Sequence, residues 1–566
     1  MKNIFSLLCF GALLCCSASV AMAQPSAWQT VTTTSQVFRN SSGTDAMVTA
    51  PNGDVYTLGS LSGTVSFGNI SISSTDGDMY VAKWSSASRS FVWVQQAMGG
   101  FQFGKTLVMS GNSLYVAGTF MGSSCIFGSN SLTNAGARDA FVAKLTDAGT
   151  SASWTWARQV GGASDDYGRA LTVQGNNIYV GGSYYSSPAS FGALSLTSSG
   201  TNNLDGFVTK LVDAGTSADF VWAQRVGGLG TEEVRALAVN GPTVYLAGNY
   251  AGPAFALGAA SLPARTSADI FVAKLTDAGA AGAIEWAQPA GSANYDEPTA
   301  LAVRGTSVYV TGAFQGPVAT FGTTSLTPAS ANTDVFVAKL TDAGSSGSFT
   351  WALRAGGSSP DVPNGLAVSG SSLYIAGVYS TSADFGSTTL TGAGGGDVFV
   401  AKVEDAGNAA NWAWAKTGGG ANNDGASAVA VAGNTVYVAG FVVPVSNFDS
   451  QTVLTPTSSP GILSPTIVAF LATLTDPTLT ATEAPWMAAS FGIFPNPAHG
   501  RATVLLPPGP GVATLTVHDA LGRIVRTQPV AMGSNIQLNL TGLAPGLYAV
   551  RVQAGGAAST QRLLVE

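Results

Sequence analysis

The stretch "DAFVAKLTDAGTSASWTWARQVGG", residues 139–162, recurs in close variants from Asp205, Asp269, Asp334 and Asp397. An apolar run rich in Phe and Val, a "TDAG" turn and a Trp run ending in "GG" read as strand, turn, strand and stop. A second phrase precedes each copy: "LYVAG" at 114–118. Its relatives are "VYTLG" (55–59), "IYVGG" (178–182), "VYLAG" (244–248), "VYVTG" (308–312), "LYIAG" (373–377) and "VYVAG" (436–440). The seven tyrosines are spaced 59, 64, 66, 64, 65 and 63 residues apart.

Each repeat holds four short strand-like runs bounded by Gly, Asn, Asp or Ser. In "FVAKL" both faces are mostly apolar: Phe141, Ala143 and Leu145 on one side, Val142 with Lys144 on the other. Such a strand needs cover on both sides, which stacked sheets supply. The expected fold is therefore all-β: a seven-bladed β-propeller of about 64 residues per blade. A linear β-solenoid is the alternative. The ends argue for a ring. Six Trp strands, holding Trp93, Trp156, Trp222, Trp286, Trp351 and Trp414, serve seven Tyr strands, and a stray "SAWQTVTTT" with Trp28 stands at the N-terminus. Residues 26–34 are expected to complete the sheet of Tyr437, with Trp28 as the seventh Trp, and so to remove the open edge.

Charged residues make up 10% of the chain, against about 25% in an average globular protein. The net charge is −7, which gives nucleic-acid binding no electrostatic footprint. The start "MKNIFSLLCFGALLCCSASVAMA" has a basic residue, a short apolar run and Ala21-Met22-Ala23. It reads as a secretory signal over 1–23, cleaved before Gln24, and no other run is long enough for a spanning helix. Three of four cysteines lie in that signal, so Cys125 has no partner for a disulfide.

The propeller is assigned residues 24–476, a Pro- and Thr-rich linker 477–490, and a small Ig-like β-sandwich 491–566. The last segment carries "FPNP" (Phe494, Pro495, Asn496, Pro497), "DALGR" with Gly522 and Arg523, and "LAPGLY" with Pro545, Gly546 and Tyr548, before a terminal "QRLLVE". It resembles the C-terminal sorting domain of the type IX secretion system of Bacteroidota; Arg562 stands where that family commonly has Lys. The resemblance implies engagement of outer-membrane secretion machinery by 491–566, export across the outer membrane, and release or surface attachment. The repeats resemble bacterial propeller repeats of the SBBP type, which supports the fold and implies no single activity.

Chemistry is sparse. The only histidines, His499 and His518, lie in the tail, so the repeats cannot build a Ser–His–Asp triad or a His-ligated zinc site. Asp166, Glu232, Asp296, Asp361 and Asp424 recur ten residues after each Trp. Repetition favours reading them as five copies of one turn-forming acid that bonds local backbone N–H groups; the functional alternative is a ring at the channel mouth that makes a polar-ligand or cation site, with calcium the cation such a ring would suit. The repeated Lys (Lys83, Lys144, Lys210, Lys274, Lys339 and Lys402) reads as a structural partner for a carboxylate. Repeat-breaking aromatics, Phe101, Phe103, Tyr184, Tyr185 and Tyr295, are candidates for stacking on sugar rings. The functional expectation is a monomeric, secreted or cell-surface binding or scaffold protein without metal or other cofactor, whose partner is a glycan or another surface protein. A carbohydrate-active lyase or hydrolase and a structural adhesion component are the alternatives.

Overall fold

The computed structural model describes residues 27–36, 40–200, 203–454, 466–479, 491–506, 512–519, 522–531, 535–554 and 557–566. The signal segment and most of the linker lie outside the described residues. Every regular element among those described is a β-strand.

Four antiparallel strands make the unit. In the third unit they are Asp166–Gln174, Asn177–Tyr184, Asp205–Asp213 and Ala218–Val226, in that order across the sheet. Seven such sheets, here numbered I to VII, have first strands starting at Ser41, Phe101, Asp166, Thr231, Asp296, Val362 and Gly425. These first strands touch in cyclic order, with VII against I, and together surround one cavity. The fold is all-β and propeller-like. Its core lies between neighbouring sheets, where Tyr179, Val208, Val244, Leu246 and Phe271 pack as one cluster spanning sheets III and IV.

The repeated polar residues clasp one sheet to the next. Lys144 of sheet II meets Asp213 of sheet III at 2.6 Å. The Tyr115 hydroxyl donates to the same carboxylate at 2.6 Å and the Trp156 indole at 3.1 Å. The Gly215 N–H adds a fourth donor at 2.9 Å. Burial alone would raise the Asp213 pKa, but these partners outweigh it and hold the carboxyl below its ordinary range. The same ion pair forms between Lys83 and Asp147, Lys210 and Asp277, Lys274 and Asp342, Lys339 and Asp405, and Lys402 and Asp476. The Asp of "TDAG" is thus more than a turn residue. It is the anchor that the preceding repeat's Tyr and Lys grip, joined by the Trp at the first five junctions.

The junction between sheets VII and I lacks this clasp. Thr473 stands opposite Tyr437, where Lys210 stands opposite Tyr179. Closure is made by main chain instead: Thr30–Thr33 pairs with Val468–Thr475 as the outer strand of the sheet holding Tyr437. Trp28 is buried, but not in the expected column. Its indole donates to the Thr417 carbonyl at 2.9 Å, and its ring meets Phe448 edge-on at 5.2 Å. Trp154 and Trp412 do the same, donating to the carbonyls of Gln96 and Arg354 and meeting Phe127 and Phe385. Trp28 therefore matches Trp154 rather than Trp156, and Thr30, paired with Thr473, takes the place of the clasp Trp. The two columns lie two residues apart, but a bulge between them turns Trp154 toward sheet I and Trp156 toward sheet III, whereas strict alternation would put both on one face.

In the tail, Gly492–Phe494, Arg501–Leu505 and Asn535–Asn539 form one sheet. Val512–His518, Ile524–Ala531, Gly546–Ala554 and Ala557–Val565 form another. Val504, Leu515, Leu538, Val550 and Leu563 share the core of this module.

Candidate functional site: the central cavity and its mouth

Each of the seven first strands carries one extra residue at the same place. The register skips at Asp45, Lys105, Arg169, Arg235, Thr299, Asn364 and Ser427. A bulge leaves one residue unpaired and re-aims its side chain. All seven line the central cavity, whose volume is about 440 Å³. The position is structurally identical in every repeat and chemically different in nearly every one. Four consecutive sheets supply charges; the next three supply Thr, Asn and Ser.

The charged arc is cross-linked. Arg235 meets Glu297 at 2.9 Å and Glu233 at 3.1 Å, and donates to the Asn249 side-chain oxygen at 3.0 Å. The Tyr295 hydroxyl donates to Glu297 at 2.8 Å. Arg169 lies 3.5 Å from Glu233 and stacks over Tyr167 at 5.0 Å; Arg138 donates to the Tyr167 hydroxyl at 3.0 Å. Asp45 is exposed where it opens onto the cavity, and Lys105 is the opposite charge that acts on its carboxyl. Phe101, Phe103 and Tyr295 are 48, 46 and 45% exposed, and Tyr185 is 37% exposed. A side groove of about 360 Å³ runs past Phe101 and Phe103 and shares Asp45 and Ser427 with the central cavity. Tyr184 does not belong with these aromatics. It is fully buried against Phe207 and donates to the Thr197 carbonyl at 3.2 Å.

The five candidate acids for the channel mouth are elsewhere. Asp166, Glu232, Asp296, Asp361 and Asp424 are 0% exposed and do not line the cavity. Each folds back onto its own loop. Asp166 accepts from the Ser186 hydroxyl at 2.6 Å and the Ser186 N–H at 3.2 Å. Asp424 accepts from Gly420, Val443 and Ser446. The bulge explains the displacement: the residue three positions later, Arg169 after Asp166, is the one turned into the cavity. A second buried acid faces each of the five across the sheet junction: Asp139, Asp205, Asp269, Asp334 and Asp397. The sequence shows these five as the first letter of "DxFVAKL". Burial, and then the neighbouring acid, push Asp166 up to about 6 and Glu232, Asp296 and Asp361 up to about 7 against their hydrogen-bond donors.

The tail can be compared with known proteins. Residues 492–566 match the secretion system C-terminal sorting domain. This sorting domain is of the type IX kind, and it marks the chain for export across the outer membrane to the cell surface or extracellular space. Its motif residues hold the module together. Asn496 donates to the Arg562 carbonyl and accepts the Leu564 N–H, each at 2.8 Å. Arg523 forks onto Asp519 at 2.7 Å around a turn through Gly522. The Tyr548 hydroxyl donates to the Ala544 carbonyl at 2.8 Å, beside Pro545 and Gly546. Phe494 is 49% exposed, next to Pro495 and Pro497.

No curated protein is similar in sequence to the chain. Among solved structures, a phage phi92 endosialidase is 10% identical, covers 94% of this chain and 87% of its own, and has a TM-score of 0.36. The plexin A4 extracellular region (domains 1 to 8) is 8% identical, covers 94% and 67%, and has a TM-score of 0.38. A Trypanosoma rangeli sialidase in complex with sialic acid is 9% identical, covers 91% and 82%, and has a TM-score of 0.30. Superpositions this loose carry no argument about ligand or chemistry.

Proposed function

We propose that the mature chain is an exported, non-catalytic binding protein. In this reading the seven sheets form a closed seven-bladed β-propeller of SBBP type, from a member of the Bacteroidota. It acts as a monomer delivered through the signal 1–23 and through outer-membrane machinery that engages 491–566. The ligand is a polyhydroxylated chain, a glycan, held over the central cavity. One observation carries this: a bulge conserved in geometry across all seven sheets delivers a different side chain in nearly every sheet to a single cavity. Repeated residues such as Lys144 and Asp213 are consumed by sheet-to-sheet contacts. Only Arg169–Glu233 and Arg235–Glu297 repeat a contact from one sheet to the next; no contact common to all seven bulge residues explains their variety.

The chemistry suits sugars. The mouth mixes donors and acceptors (Arg169, Arg235, Glu297, Asn364), flanked by half-exposed rings of Phe101, Phe103 and Tyr295 that can stack on a pyranose face. The enzyme reading has less support. Glycoside cleavage needs two carboxylates in different environments, whereas Glu233 and Glu297 share one cation, Arg235. A glycan array with wild type and Arg235→Ala tests the proposal. Binding that drops at least about tenfold in the variant, at unchanged Tm, supports it. Wild type that binds no glycan, or a variant that binds as well as wild type, overturns it; turnover of a bound glycan would move the assignment to the carbohydrate-active class.

A further inference from the structure

The five buried acid pairs are unused by the cavity and are not ion pairs with each other. At four junctions both carboxylates close over one glycine. A β-carbon built on Gly227 would fall 2.7 Å from Asp205 Oδ1 and 2.8 Å from Glu232 Oε2. On Gly291 the distances would be 2.4 Å to Asp269 and 2.8 Å to Asp296, and on Gly356 2.6 Å to Asp334 and 2.9 Å to Asp361. On Gly419 they would be 2.1 Å to Asp397 and 3.1 Å to Asp424. This is what the repeated "GG" is for: it leaves room for two carboxyl groups to meet. The Oδ1 atoms of Asp269, Asp334 and Asp397, which are the Asp oxygens beside those glycines, are buried with no donor, as is Oδ1 of Asp139. A carboxylate oxygen that faces another carboxylate has a donor only if one of the two carries a proton.

Two alternatives to a proton can be weighed. A divalent cation needs six or more oxygens, but the neighbourhood is built of donors. Asp361 accepts N–H groups from Gly357 and Ser380, Asp296 from Ser292 and Gln315, and Asp139 from Ala135 and the Gln159 amide. Cationic side chains cover only some pairs. Arg225 lies near Asp205 and Glu232, Arg265 beside Asp269, and Arg354 beside Asp334. Tyr184, Tyr250 and Tyr379 are the other titratable groups nearby, and burial keeps all three neutral. Among the described residues no cationic side chain pairs with Asp139, Asp166, Asp397 or Asp424. The molecule also contains its own control. At the junction of sheets I and II the same register position, opposite Phe120 as Asp166 is opposite Tyr184, holds Gln102. Gln102 is a neutral isostere of a protonated Glu, and Asp78 takes the place of Asp205 across from it.

The geometry points to a proton shared within each pair that closes over a glycine, so that four of the sheet junctions are fastened by carboxyl–carboxylate hydrogen bonds that open as pH rises. The sign follows from linkage. The native pair holds a proton that the unfolded chain, with ordinary carboxyls near 4, has already lost. Stability is therefore fully present below about 4 and declines as pH rises through the native values of about 7.

The test is calorimetric unfolding of the full mature chain at pH 5.5 in buffers of different ionisation enthalpy, with Tm recorded from pH 5 to 8. Wild type should release up to about one proton per pair on unfolding, and its Tm should fall across that range. Asp361→Asn and Glu232→Gln, separately, should each lower the release by about one proton and flatten the decline in Tm, with Tm at pH 8 no lower than wild type. A wild-type Tm that is flat or rises from pH 5 to 8 overturns the proposal even if neither variant folds. So does an unchanged proton count in both variants, or a Tm that falls when EDTA is added, which would put a cation where we put the proton.

Discussion

At five of the sheet junctions the two ends use opposite electrostatics. At one end Lys144 and Asp213 bring unlike charges together, with Tyr115 and Trp156 completing the donor set. At the other, Asp139 and Asp166 bring like groups together in the same buried setting. The first arrangement holds because each charge has its counter-charge and its hydrogen bonds, so desolvation is offset. The second cannot hold two full charges at all. One interface thus has a fastener that wants its carboxylate ionised and another that wants a carboxyl neutral. Their pH responses run in opposite directions, and that is how they can be told apart.

The largest effect should come from acid. The clasp carboxyls titrate below their ordinary range. Their stabilisation is present above about pH 4 and is lost as pH falls through the depressed native values. The acid pairs are already protonated there and contribute no further change. Tm against pH should therefore peak near pH 4 to 5 and fall on both sides, more steeply on the acid side because six clasps fail together. A profile that stays level below pH 4 would break the comparison. Next in size, Asp213→Ala leaves Lys144 buried without its partner and should cost about 3–5 kcal/mol in urea unfolding; less than 1 kcal/mol would mean the clasp is ornamental. Gly356→Ala should cost about 1–3 kcal/mol, because its β-carbon would press on both Asp334 and Asp361 from a backbone at φ 141°. A neutral result there would show that the pair can spread apart. Smallest on stability is Arg235→Ala, within about 1 kcal/mol for a partly exposed ion pair, while ligand binding collapses.

Much of this was legible in the sequence. The tyrosine spacing gave seven sheets, and the surplus N-terminal strand gave the closure at Thr30–Thr33. The repeated Lys and the Asp of "TDAG" could be paired as types, though not across the repeat boundary where they meet. What failed was facing. Asp166 was a candidate for the channel because it enters the first strand of its sheet, the strand that lines the channel. One extra residue at Arg169 shifts the register, and the channel receives Arg169 instead. The bulge ring did leave a trace: when the repeats are aligned, the column Asp45, Lys105, Arg169, Arg235, Thr299, Asn364, Ser427 is the one whose chemistry keeps changing beside an invariant apolar run. The paired acids left one too, as two conserved letters with a "GG" between them, but only the fold shows that they belong to one contact. Trp28 could be counted as a seventh Trp, but its column could not be read, because a bulge turns the two Trp positions of each outer strand to opposite faces.

The clasp has a consequence for copy number. The Lys and Tyr sit in one repeat and the Asp they grip sits in the next, so no repeat carries a whole clasp within itself. Removing or adding one entire repeat would still leave every hook facing an eye. The clasps therefore enforce direction and neighbour order but do not count members. The count falls to the only junction that works differently, where Thr30–Thr33 must come round to meet Val468–Thr475. An array of this design can be lengthened or shortened by duplication without inventing a contact, provided its two ends still find each other.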